Sequence, residues 1–101
     1  MICVVVSVPN KPGKVIEARA ATVKAAKYNK ETHSGVVDAH ALSNISGKAQ
    51  RFHLVIYYES LAAYEEIRAK NNEDPKALEI RAEAIEAFIL SEAETTIYQV
   101  E

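Results

Sequence analysis

Two histidines, His40 and His53, stand in β-rich stretches of this 101-residue chain, with Asp38 before the first and Arg51 and Tyr57 on either side of the second. Residues an even number apart on a strand point to the same side, so Asp38 joins His40, while Arg51 and Tyr57 join His53. An imidazole titrates near neutral pH and serves as a general base, a proton shuttle or a metal ligand. Asp38 can orient a histidine and stabilise its imidazolium form. Arg51 can hold a carboxylate or a phenolate, and Tyr57 can donate a hydrogen bond to a developing oxyanion. Together these types describe a small pocket for an anionic, partly aromatic molecule. His53 and His40 are the candidate catalytic residues, and Asp38, Arg51 and Tyr57 the candidate substrate-binding ones. The plainer competing reading is a solvated or interfacial polar face, with Asp38 and Arg51 forming an ion pair of little energetic weight.

Other chemistries fit less well. Two histidines and a carboxylate match the ligand types of a facial-triad metal site, but alternation along one strand is expected to space Asp38 and His40 too widely, so no metal is assigned. Ser7 and Cys3 have no base near them in sequence to activate a nucleophile. His33 is expected in an exposed helix-to-strand loop. The three glycines, Gly13, Gly35 and Gly47, each fall at a turn or helix boundary, and no glycine-rich phosphate loop is present. No cofactor is expected.

The elements that must position these residues follow from periodicity. Ile2 to Val8 is rich in β-branched residues and apolar on both faces, the pattern of a central strand. Pro9-Asn10-Lys11-Pro12-Gly13 ends it and opens a helix, in which Ile16, Ala20 and Val23 form the expected apolar stripe, ending near Tyr28 to Thr32. Strands are expected over residues 36–44 and 48–59, joined by a Ser46-Gly47 turn. If those two residues form the whole loop, Asp38 pairs with Val55, His40 with His53, and Leu42 with Arg51. One hairpin face then carries Val37, Ala39, Ala41, Phe52, Leu54 and Ile56, all apolar, and the other carries the candidate site. Ser60 caps a second helix beginning with Leu61 and Tyr64. Asn71-Asn72 interrupts it, and Asp74-Pro75 starts it afresh. Leu78, Ala82, Ile85, Phe88 and Ile89 are its expected core stripe. A last strand runs over 95–100.

The order is βαββαβ, a ferredoxin-like α+β fold: a four-stranded antiparallel sheet with two helices on one face, formed by residues 1–101 as one domain. Two helices cover only one face. Cys3, Val5, Leu42 and Val55 would then remain on the open side, where burial of each is worth roughly 1.5–3 kcal/mol. Face-to-face pairing with a second copy removes that exposure, so a homodimer is expected.

This order, with Pro12-Gly13-Lys14 opening the first helix and Ser60-Leu61-Ala62-Ala63-Tyr64 opening the second, resembles the dimeric α+β barrel superfamily, and within it the antibiotic-biosynthesis-monooxygenase-like and NIPSNAP-like proteins. The resemblance implies two sheets packed into a barrel and a pocket between sheet and helices or inside the barrel. It implies a range of activities, from cofactor-independent oxygenases and haem-degrading enzymes to isomerases and proteins without known activity. The chain has no tryptophan, so the Asn-Trp-His set of haem-degrading members cannot be assembled. Fold alone does not select the chemistry. The leading expectation is a cofactor-independent monooxygenase-like enzyme for an anionic or aromatic metabolite. The alternative is a non-catalytic dimeric ligand-binding or accessory protein.

Composition bounds the rest. A net charge of −2, with basic residues scattered over the helices, argues against nucleic acid as a partner. A lone cysteine rules out an intramolecular disulfide and multi-thiolate zinc sites, and suits a reducing compartment. No stretch approaches the ~20 apolar residues of a membrane span, and the apolar N-terminus lacks a basic leader. The expected location is cytoplasmic.

Overall fold

The structure, a computed structural model, describes residues 1–47 and 50–101. The expected start of the third strand at Lys48 therefore lies outside the described residues. The elements are β1 (Ile2–Val8), α1 (Val15–Thr32), β2 (Val36–Ser43), β3 (Phe52–Tyr58), α2 (Leu61–Asn71), α3 (Pro75–Ala87), a short 3-10 turn (Leu90–Glu92) and β4 (Glu94–Gln99). The strands form one antiparallel sheet in the order β2-β3-β1-β4, with β1 and β3 central as the ferredoxin-like order requires. The second helical stretch is cut in two where Asn71-Asn72 and Asp74-Pro75 led one to expect, so the described residues form three helices. Ser60 Oγ accepts from the Ala63 amide at 3.1 Å to open α2, and Asp74 Oδ1 accepts from the Lys76 amide at 2.9 Å to open α3, with Pro75 at its first position. Among the described residues, no helix is long and apolar enough to cross a membrane.

The core lies between the sheet and the helices. Ile2, Val4, Ile56, Tyr58, Val36 and Ala39 pack with Ala26 and Ile67 at one end. Val8, Phe52 and Phe88 pack with Ala18, Ala21 and Ala87 at the other, where the two phenylalanine rings meet edge to face at 6.0 Å.

The expected helix stripes are not the buried ones. α1 turns Ala18, Ala21, Thr22, Ala26 and Asn29 to the sheet, and Ile16 and Val23 are 76% and 51% exposed. α3 buries Ile80 and Ala87, leaving Leu78 and Ile85 41% and 46% exposed, although Phe88 is buried as expected. The sheet already supplies large side chains, so close packing favours small ones on the helix that lies over it. Gly35 reflects the same crowding: a β-carbon there would sit 3.1 Å from Ile67 Cδ1 and 3.3 Å from Ala63 Cβ. Gly13, at φ +77°, makes the left-handed turn into α1.

The hairpin register differs from expectation by two residues. Ala39 pairs with Ile56, His40 with Val55, Ala41 with Leu54 and Leu42 with His53. A slip of two keeps every side chain on its expected face but changes its neighbours. The connection is longer than the assumed two-residue turn, because the last β2 pair is Ser43 with Phe52. Val37 is the exception to the face assignment. The register shifts between Val36 and Asp38, and Val36 takes the buried place while Val37 is 52% exposed.

Candidate functional site

Strand registers assemble the uncovered sheet face as three rows of four side chains. Asp38, Tyr57, Cys3 and Tyr98 form the first row, His40, Val55, Val5 and Thr96 the second, and Leu42, His53, Ser7 and Glu94 the third. Cys3 is buried, Val5 and Val55 are half-buried, and Leu42 and Tyr98 are exposed. The face therefore has an apolar centre with polar and aromatic side chains around it.

His40 and His53 are not cross-strand neighbours. His40 lies opposite Val55, and His53 lies between Leu42 and Ser7. The imidazole that meets a carboxylate is His40: its Nε2 stands 3.0 Å from Asp38 Oδ2. The expectation that alternation would separate Asp38 from His40 is thus overturned. Residues two apart on a strand share a face and sit roughly 6.6 Å apart along it, within reach of an aspartate and an imidazole turned toward each other. Asp38 is itself held from two sides, accepting from Lys30 Nζ at 2.9 Å and from the Ala39 amide at 2.9 Å. These bonds, that from Lys30 foremost, keep its carboxyl below the usual carboxylate range. An imidazole that donates Nε2–H to a fixed carboxylate is oriented, and its Nδ1 is left as the basic nitrogen.

Arg51 does not pair with Asp38. Its Nε donates to Ser7 Oγ at 2.8 Å, and its Nη2 donates to the Ser7 carbonyl at 3.0 Å and the Glu92 carbonyl at 2.9 Å. Arg51 thereby ties β3 to the far end of β1 and to the 3-10 turn, beside His53 in the third row. Tyr57 stands between Asp38 and Cys3 in the first row. The structure thus brings Asp38 and His40 into contact with Tyr57 adjacent, and places His53 and Arg51 at the other end of the face. Among the described residues, no three His, Cys, Asp or Glu side chains gather as a metal-ligand group.

Hollows lie elsewhere on the molecule. A small cavity of about 140 Å³ between sheet and helices is lined by apolar side chains such as Val6, Phe52, Leu54 and Phe88, with Thr22 as its polar member. The Thr22 hydroxyl is already spent on the Ala18 carbonyl at 2.8 Å. An open groove of about 960 Å³ runs along the outside of α1 toward α3. None of the five candidate residues lines either one.

Sequence reasoning missed a polar network where α1, α2 and α3 meet. Tyr28 donates its hydroxyl hydrogen to Asp74. His33 Nε2 donates to Asn71 Oδ1 at 2.7 Å, and Asn71 Nδ2 donates to Asn29 Oδ1 at 3.2 Å. His33 is half-buried and packs edge-on to Tyr28 at 5.8 Å, so it is not the exposed loop residue expected. These partners are 38–46 residues apart, and no local pattern announces them.

The sheet order, the open face and the helix layer together define a ferredoxin-like α+β fold. No protein-family profile matches the sequence, and no curated protein matches it. Solved structures do. A protein of Nitrosomonas europaea, provisionally named an antibiotic biosynthesis monooxygenase, superposes with a TM-score of 0.78 at 18% identity, over 99% of this chain and 98% of its own. SnoaB of Streptomyces nogalater, a cofactor-independent oxygenase, gives 0.76 at 13% identity over 99% and 92%. A dimeric ferredoxin-like protein of unknown function from Bacteroides fragilis gives 0.72 at 12% over 98% and 95%. At such identities the likeness is one of fold.

Proposed function

We propose that this chain is a small-molecule enzyme of the cofactor-independent monooxygenase type, acting as a homodimer on an anionic or aromatic metabolite. The observation that carries the reading is the 3.0 Å contact between Asp38 and His40 at the edge of an apolar patch on an uncovered sheet face. Pairing with a second copy encloses that patch and excludes water, which strengthens every charge interaction inside. The dimeric Bacteroides fragilis neighbour and the oxygenase SnoaB support the assembly and the class.

In this mechanism His40 is the general base. Its Nδ1 takes a proton from an activated C–H of the substrate, and Asp38 stabilises the imidazolium that forms. The electron-rich carbanion reacts with dioxygen to give a peroxide on that carbon. Return of the proton and loss of water leave a carbonyl, so a CH₂ and one O₂ become a C=O and one H₂O. The substrate supplies all the electrons. Tyr57, next to Asp38, donates to the substrate oxyanion. His53 and Arg51 bind the anionic end, Arg51 through its charge and the Nη1 group that its bonds to Ser7 and Glu92 leave open.

Oxygen uptake with a panel of polyhydroxyaromatic and β-dicarbonyl anions, with isotope-labelled O₂ to trace the inserted atom, tests the reading. Turnover should fall by about 10²–10⁴ in His40→Ala, with label in the product carbonyl. Uptake no faster than in buffer across the panel, or a fully active His40→Ala, would sink it.

A further inference from the structure

The sheet-face dimer leaves the outer surface of the helix layer uncovered. Ile16, Ala20 and Val23 on α1 stand at i, i+4 and i+7, and Leu78, Ala82 and Ile85 on α3 repeat that spacing. All six are exposed, and both triplets lie opposite the buried side of their helix. The two stripes differ in charge. Arg19, Lys24 and Lys27, with Glu17, flank the first, and Glu79, Glu83 and Glu86, with Arg81, flank the second, so the first rim is net positive and the second net negative. Lys24 and Glu83 already meet at 2.8 Å within one protomer.

We propose that this helical face binds a second copy of the chain, with α1 of each protomer against α3 of the other. Apolar stripes of equal length and spacing, with rims of opposite net sign, are complementary in both shape and charge. A two-fold axis satisfies both stripes at once, because each helix finds its counterpart on the partner. The open groove beside α1, lined by Ile16, Val23, Lys27 and Ile80, is the hollow into which the partner's α3 would settle. An anionic membrane suits the α1 rim but is repelled by the three glutamates on the same face, so a second copy is the better occupant. Combined with sheet-face pairing, this contact makes a four-chain assembly.

Sedimentation of the full chain over a wide concentration range tests this, with circular dichroism confirming that each variant folds. Val23→Glu and Ile85→Lys each place a charge in one stripe. The wild type should reach four chains and each variant two. Lys27→Glu should also fall to two chains, and adding Glu79→Lys and Glu86→Lys should restore four. Tyr98→Asp, on the opposite sheet face, separates the two contacts: it should leave two chains joined by the helices. A wild type that never exceeds two chains and keeps its mass in Val23→Glu overturns the proposal. A two-chain wild type that becomes one chain in Val23→Glu upholds it and overturns sheet-face pairing instead. A wild-type mass unmoved by Val23→Glu, with flotation on phosphatidylserine vesicles that this variant loses, gives the face to a membrane and likewise overturns it.

Discussion

Tyr28, near the end of α1, donates its phenolic hydrogen to Asp74, the residue that caps α3, and so clamps the two helices together at one end. Asp74 serves both elements, accepting from Tyr28 with one oxygen and from the Lys76 amide with the other. These bonds, that from Tyr28 first, hold its carboxyl below the usual range. Tyr28→Phe should lower stability, because it removes a hydrogen bond to a charged group. Asp74→Ala should cost more than Tyr28→Phe, because the cap goes with it. Urea denaturation of both singles and the double variant should show the double losing less than the sum of the singles; strictly additive losses would mean that the clamp contributes nothing.

Alkali should expose the same tyrosine. Burial, and then the bond to Asp74, push the Tyr28 phenol up from 10.0 to about 12, and burial pushes Tyr58 to about the same value. A raised value means that the unfolded chain releases these protons first. The stabilisation is therefore complete below pH 10 and is lost as the pH rises toward 12. Tyrosinate absorbance should show two of the five tyrosines titrating late while the fold persists, and Tyr58→Phe should remove one of them. A single transition near 10 for all five in the folded protein would contradict this.

Asp38 titrates in the other direction. Because its folded value is depressed, its contribution is present above the usual carboxylate range and is lost as the pH falls through the folded value. Lys30→Ala removes the largest cause and should move the Asp38 carboxyl upward, followed by carboxyl-carbon resonances. If Asp38 orients the base, Asp38→Asn should lower turnover while KM changes little, since the loss falls on the transition state. An unchanged Asp38 titration in Lys30→Ala would show that the ion pair does not persist in water.

Gly35→Ala reports on the tightness of the contact between α2 and the sheet. The new methyl meets Ile67 Cδ1 at 3.1 Å and Ala63 Cβ at 3.3 Å. Overpacking of this kind costs about 1–3 kcal/mol. Ile67→Val removes the nearer atom, so the double variant should lose less than the sum of the two singles. Additive losses would place the strain elsewhere.

Much of this protein was legible in its residue order. The β-branched run from Ile2 to Val8, the caps Ser60 and Asp74-Pro75, and the alternation in β2 and β3 determined the order of elements, the break between α2 and α3, and the side of the sheet on which Asp38, His40, His53 and Tyr57 stand. These are local properties, set by backbone preference and by a period of two that survives a two-residue slip. What touches what was decided only in three dimensions. The length of the β2–β3 connection placed His40 beside Val55 and not His53, and side-chain conformation brought Asp38 to it. Likewise, hydrophobicity along α1 and α3 marks Ile16, Val23, Leu78 and Ile85 as core, yet over a sheet surface already filled by Val4, Phe52 and Ile56 small residues such as Ala18, Ala21, Ala26 and Ala87 take most of the buried helix positions, and these four larger side chains turn outward.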